Sequence, residues 1–237
     1  MHKFEMPRSV IDSVIARRGR EHALADIDPA RTALLVVDMQ NGFLMDGVAH
    51  SLIPAAREIV PNINRLADAL RASGGSVVWI KNTVSEESMR GWPSYDRLAT
   101  PARRQKRIDA MREGSIGHEL WAELDVQADD LTVKKTRFSA FIQGSSPIEA
   151  MLRERGIDTL LVTGTATGVC CESTARDAMM LGFNAIMVSD ANAAHNDEEH
   201  SASLIAFYAT FGDVMTTDQV IGRLLSGSAQ PRKAAAG

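Results

Sequence analysis

Along the chain, short uninterrupted apolar runs alternate with longer stretches in which apolar residues recur three or four positions apart. Val10, Ile11, Val14 and Ile15 follow Pro7 at helical spacing and stop near Gly19, predicting an N-terminal helical arm within residues 1–28. From Thr32, TALLVVD is the apolar run of a strand buried on both faces, and it ends in a carboxylate. Ile59, Ile63, Leu66 and Leu70 predict a helix over 54–73, closed by Gly74 and Gly75, and SVVWIKN from Ser76 reads as the second strand. The rhythm then lapses from Thr83 to Gly117, where Gly91, Pro93 and Pro101 stand among arginines with Trp92 and Tyr95, as in an inserted loop or lid. It resumes with a strand DLTVKK from Asp130, a helix from Pro147 to Arg155 and a strand TLLVTG from Thr159. A helix from about Cys170 to Leu181, a strand NAIMVSD from Asn184 and a helix from about Asp197 to Phe211 follow. The segment 226–237 is small, polar and patternless, which predicts a disordered tail.

Strands alternating with helices of this length imply βαβ units, hence an α/β fold of three α/β/α layers around a mostly parallel sheet, with residues 29–225 as one domain. The 237 residues are 45% hydrophobic and 24% charged, a globular composition. A net charge of −4 offers no basic face for a phosphate backbone, so no nucleic acid partner is expected. The run from Ala33 to Val37 is far short of the roughly 20 residues that span a bilayer, and no membrane partner is expected either. The opening MHKFEMPRSVIDSV lacks a secretory h-region, which predicts a cytoplasmic protein. Cys170 and Cys171 are adjacent, where a disulfide would be strained, so they act as thiols.

Ligands of open parallel sheets bind beyond the carboxyl ends of the strands. Three polar features lie there: Asp38, the pair Lys134 and Lys135, and Cys170 after the turn GTATGV. An acid at a strand end also forms turns or caps helices, and a lysine pair also makes a solvated edge. Cys170 stands where a helix N-terminus would favour its thiolate, although a buried cysteine can also be inert. The three groups meet only if their strands are neighbours.

LLVVDMQNGF, KTRFSAF and GTATGVCCESTARDA, in that order, resemble the isochorismatase-like cysteine hydrolases over about Thr32 to Ile221. The resemblance implies an Asp38, Lys135 and Cys170 triad. KTRFSAF fits the family pattern from Lys135 rather than Lys134, and Cys171 fills the small apolar position after the family thiol and reads as core. It also implies a cis peptide between Thr165 and Ala166, an oxyanion hole of the Ala166 and Cys170 amides, no cofactor, a small-molecule substrate, and a homodimer or homotetramer. The metal-binding histidine of nicotinamidases is missing from WIKNTVSEES, so no metal is expected, and His195 and His200 read as solvated or capping.

DIDPARTALLVVDMQNGF, GVAH and EIVPNINRL look closest to the ureide-cleaving branch, which hydrolyses C–N bonds of ureidoacrylate, N-carbamoyl amino acids, biuret or triuret. On that reading Trp92 and Tyr95 close over the substrate, and Gln40 or Arg137 holds its distal amide or carboxylate. A simple-carboxamide hydrolase of the maleamate type differs only in pocket chemistry. A silent binding homologue would be expected to have lost the thiol or the lysine, and a redox sensor would need a resolving thiol that vicinal cysteines rarely supply.

Overall fold

Every apolar run singled out above becomes a strand, because a strand covered by helices on both faces has no solvent side on which to place polar residues. The computed structural model describes residues 1–227. Its strands are β1 (Thr32–Val37), β2 (Ser76–Asn82), β3 (Leu131–Lys135), β4 (Thr159–Thr165), β5 (Asn184–Ala193) and β6 (Asp213–Met215). They form one sheet in the order β3-β2-β1-β4-β5-β6, with every neighbouring pair parallel. The helices are α1 (Arg8–Arg18), α2 (Asn41–Leu44), α3 (Ala55–Glu58), α4 (Val60–Ala72), α5 (Glu86–Arg90), α6 (Pro93–Asp96), α7 (Pro101–Met111), α8 (Ile148–Glu154), α9 (Glu172–Met180), α10 (Asp197–Thr210) and α11 (Thr217–Gly227).

The strands sort their side chains by parity. Leu34, Val36, Val77 and Trp79 pack on one face with α4 and α11, while Ala33, Leu35, Val37 and Val78 pack on the other with α1, α8, α9 and α10. β1 and β4 are buried throughout and form the spine of both cores. Truncating one such residue, as in Leu35→Ala, costs about 2–5 kcal/mol in sites of this kind. Strand order reverses direction between β1 and β4, so the crevice that binds ligands in such sheets opens there. Gly164 allows that pair to close up: its φ is 109°, and a Cβ would stand 2.1 Å from the Val37 carbonyl oxygen. In the pairing of β4 with β5 the register shifts after Val162, where Met187 is the partner, so that Gly164 pairs with Asn192, and the Asn192 amide donates to the carbonyls of Val162 (2.8 Å) and Val188 (2.7 Å) to fill the gap.

Several elements differ from the sequence expectation. The helix over 54–73 is two, α3 and α4, because Pro61 enters the first turn of α4 without an N–H. The 83–117 segment is helical rather than irregular. Pro93 and Pro101, which read as breakers, occupy first helical positions, and Ser85 and Thr100 cap α5 and α7. β5 runs past its bulge to Ala193, and β6 and α11 are added. Ser226 and Gly227 close α11; residues 228–237, where the disordered tail is expected, lie outside the described residues. The N-terminal arm forms α1 and lies on its own chain, where Arg18 donates to the carbonyls of Tyr208 (2.9 Å) and Gly212 (3.1 Å).

Candidate active site

Asp38 follows the last residue of β1 with φ 54°, a left-handed conformation that aspartate tolerates better than most residues. The turn aims its carboxylate across the ends of the neighbouring strands. Lys135 closes β3, which does not touch β1, so its side chain crosses the end of β2, where Asn82 is its register partner. Its Nζ donates to Asp38 Oδ2 at 2.8 Å and to the Arg137 carbonyl at 3.0 Å, and both side chains of the pair are fully buried. Lys134 points the other way, into solvent, and pairs with Glu113. Cys170 lies in a wide helical turn, Thr167–Cys171, between β4 and α9, and the Thr165–Ala166 peptide just before it is cis. Cys171 is fully buried in the core.

Burial, and then the Asp38 charge, push the Cys170 thiol up to about 12, with Lys135 opposing them. Burial also works against the Lys135 charge, but Asp38 and Cys170 more than offset it and hold its pKa above the ordinary lysine value. The resting site is therefore a neutral thiol beside an ion pair. Asp38 Oδ1 is buried and accepts no hydrogen bond, leaving a proton acceptor next to the thiol. Iodoacetamide should alkylate Cys170 more slowly than a free thiol at pH 8. Asp38→Asn removes the charge that raises the thiol pKa, so it should speed alkylation while stopping turnover; mass spectrometry of the labelled peptide reads the rate.

Above Cys170 is a cavity of about 280 Å³, walled by Phe43, His50, Asn82, Tyr95, Arg107 and Phe138. The helices α6 and α7 and the link between them form its roof, with α5 packed against α6. Tyr95 lines it, and Trp92 stands behind, 4.8 Å from the rings of both Tyr95 and Phe138. Two expected substrate ligands are otherwise engaged. The Gln40 amide donates to the carbonyls of Asn82 (3.2 Å) and His118 (2.9 Å) and accepts from Asn82 N (2.7 Å), so it fastens the strand ends behind the cavity. Arg137 donates to the carbonyls of Ser88 (3.3 Å) and Gly91 (3.1 Å) and lies over Trp92, so it ties down the roof. Asn82, His50 and Arg107 take their places at the wall. Asn82 ends β2 level with Lys135, so the strand-end rule that selects Asp38 could have found it. Arg107 is one arginine among several and carries no such mark.

His195 is exposed at the cavity mouth, but His200 is buried, not solvated. It hydrogen-bonds Thr167 at 2.9 Å beneath the Cys170 turn and stacks on His2. Burial, then the neighbouring His2, lower its pKa to about 4. An unfolded histidine protonates near pH 6.5. The unfolded chain thus gains its proton first, so His200 contributes stability that is complete above about pH 6.5 and is lost as pH falls toward 4. His200→Gln should flatten the decline of Tm between pH 7 and 4.5, read by calorimetry. Among the described residues no three His, Cys, Asp or Glu side chains gather as a metal site. None of the described helices is long and apolar enough to cross a membrane.

An acid, an amine and a thiol thus gather at the switch point of a parallel α/β sheet, and comparison with known proteins gives the class. Residues 32–219 match the Isochorismatase domain, and the chain belongs to that family of hydrolases. It is 33% identical over 175 residues to the ureidoacrylate amidohydrolase RutB of Klebsiella pneumoniae subsp. pneumoniae, covering 69% of this chain and 73% of that protein. A cysteine hydrolase from Pseudomonas syringae pv. phaseolicola superposes with a TM-score of 0.72 at 30% identity, over 85% of this chain and 96% of the other. The N-carbamoylsarcosine amidase from Thermoplasma acidophilum gives 0.64 at 26% identity, over 79% and 97%. These relatives place the chain near the ureide-cleaving branch of the superfamily.

Proposed function

We propose that the protein is a cysteine-dependent amidohydrolase that cleaves a C–N bond of a small ureide or carbamoyl compound. The observation that carries this reading is the fully buried Asp38–Lys135 pair beside Cys170 at the floor of the cavity. Its nearest support among relatives is the similarity to a ureidoacrylate amidohydrolase and an N-carbamoylsarcosine amidase.

With substrate seated, Asp38 takes the thiol proton as the Cys170 sulfur attacks the carbonyl carbon, and Lys135 stabilises the anionic charge at this centre. The amides of Ala166 and Cys170 donate to the oxyanion; a donor so placed is typically worth about 3–4 kcal/mol. As the tetrahedral centre collapses, the C–N bond breaks and Asp38 passes its proton to the leaving nitrogen. A water molecule, deprotonated by Asp38, then attacks the thioester-like carbonyl. The C–S bond breaks and the proton returns to the sulfur. A neutral resting thiol suits this cycle, since the same carboxylate collects and returns each proton.

Ammonia release is measured across ureidoacrylate, N-carbamoylsarcosine, biuret, triuret, maleamate and nicotinamide. Release from a ureide that vanishes in Cys170→Ser is the expected result. Release only from a simple carboxamide would retain the thiol and discard the ureide, and silence across the panel would overturn both.

A further inference from the structure

Arg107 is only 3% exposed, and its Nε and Nη1 are buried without a hydrogen-bond partner. It forms no ion pair among the described residues. Its neighbours are ring faces instead: the guanidinium lies 4.3 Å from the centre of the Tyr95 ring and 5.8 Å from those of Trp92 and Phe138. Ring faces hold a cation in place, but they leave the in-plane N–H donors unsatisfied. A buried charge without a hydrogen-bonding partner is among the costliest features a fold can keep. Acids are at hand in the same segment: Arg104, three residues earlier on α7, pairs with both Glu86 and Asp96. None is turned toward Arg107.

The cavity lining repeats the pattern. It holds Arg103 and Arg107 but no aspartate or glutamate, and the buried carboxylate of Asp38 is committed to Lys135. Asn82 Oδ1 is also buried without a partner, at the end of β2 between the strand ends that carry Asp38 and Lys135. The wall thus offers an unpaired guanidinium fork in the roof and an unpaired acceptor beside the thiol. A ureido group supplies N–H donors to the acceptor, and a carboxylate supplies the anion that matches the fork.

We infer that Arg107 binds a carboxylate of the substrate, so that the compound cleaved is an anionic ureido or carbamoyl acid rather than a neutral ureide of the biuret type. This inference rests on the hydrolase reading above and narrows its substrate. Arg107 is the specificity-determining residue, and the aromatic faces of Tyr95, Trp92 and Phe138 set its direction.

The test compares three ureido acids of different spacer, N-carbamoylglycine, N-carbamoyl-β-alanine and 3-ureidoacrylate, each with its own methyl ester. Turnover is measured with the wild type, Arg107→Gln and Arg107→Lys. Binding is measured by calorimetry on Cys170→Ser, with and without Arg107→Gln. At least one acid should exceed its ester by about 100-fold in kcat/KM, the scale of a desolvated charge pair. Arg107→Gln should collapse that ratio by about 30-fold or more, and Arg107→Lys should keep part of it, having the charge without the fork. The ratio is the proper readout, because Arg107 also acts electrostatically on the Cys170 thiol whichever substrate is bound. An acid-to-ester ratio near one in the wild type, a ratio untouched by Arg107→Gln, or no acid binding to Cys170→Ser would each overturn the inference. Arg107-dependent acid binding without turnover of any acid would support the carboxylate site and remove the hydrolase reading. Equal turnover of acid and ester would do the reverse.

Discussion

Cys170→Ser should lower turnover of the best ureide by about 10³- to 10⁵-fold while shifting Tm by only a few degrees. The activity loss follows from acidity: a serine hydroxyl is a far weaker acid than even a thiol raised to about 12, and a single carboxylate at Asp38 cannot withdraw its proton. Removing a nucleophile outright has effects at or above this scale in other hydrolases. The stability change is small because serine is slightly smaller and is placed beside an ion pair that can hydrogen-bond it. A change of about 1 kcal/mol moves Tm by about 2–4 °C in a chain of this size. Stopped ammonia release with a preserved melting curve is the expected pair of results. A Cys170→Ser enzyme within tenfold of wild type would remove the thiol mechanism.

Lys135→Met should cost about 3–5 kcal/mol in urea unfolding, because it strands the Asp38 charge in a fully buried position. The double change Asp38→Asn, Lys135→Met should recover at least half of that loss. It removes both charges, and asparagine accepts the φ of 54° that most residues would not. Both variants should be inactive, so stability and activity part company: the second substitution restores the fold without restoring the chemistry. A single-variant cost below about 1 kcal/mol would mean that Asp38 does not depend on its lysine.

Much of this was legible in the sequence because a buried parallel strand announces itself as an unbroken apolar run. TALLVV, SVVWIKN and TLLVTG predict strands at the positions where they lie. Asp38, Lys135 and Cys170 were legible as strand-end groups and as matches to a family pattern. That they meet was not legible, since β3 and β1 are separated by β2 and the contact depends on a lysine long enough to cross it. The roof helices were hidden for a different reason. A helix as short and arginine-rich as α7 buries a charged residue, Arg107, on its inner face, and binary patterning counts that position as polar. For Gln40 and Arg137, polarity near a site does not reveal that a side chain also holds backbone carbonyls, as both do here.

The Arg137 clasp has a bearing on how new specificities could be built in this scaffold. The roof segment, 83–117, is separated from 136–145 by β3, yet Arg137 and Phe138 grip it by two carbonyls and two rings. The same stretch begins just after Lys135, whose amine donates to the Arg137 carbonyl. Roof and lysine loop are therefore one module written in two pieces. A chimera that borrowed a relative's roof alone would break the clasp and loosen the support of its own buried Lys135 amine, whereas grafting both pieces would carry the pocket wall and the lysine's support across together.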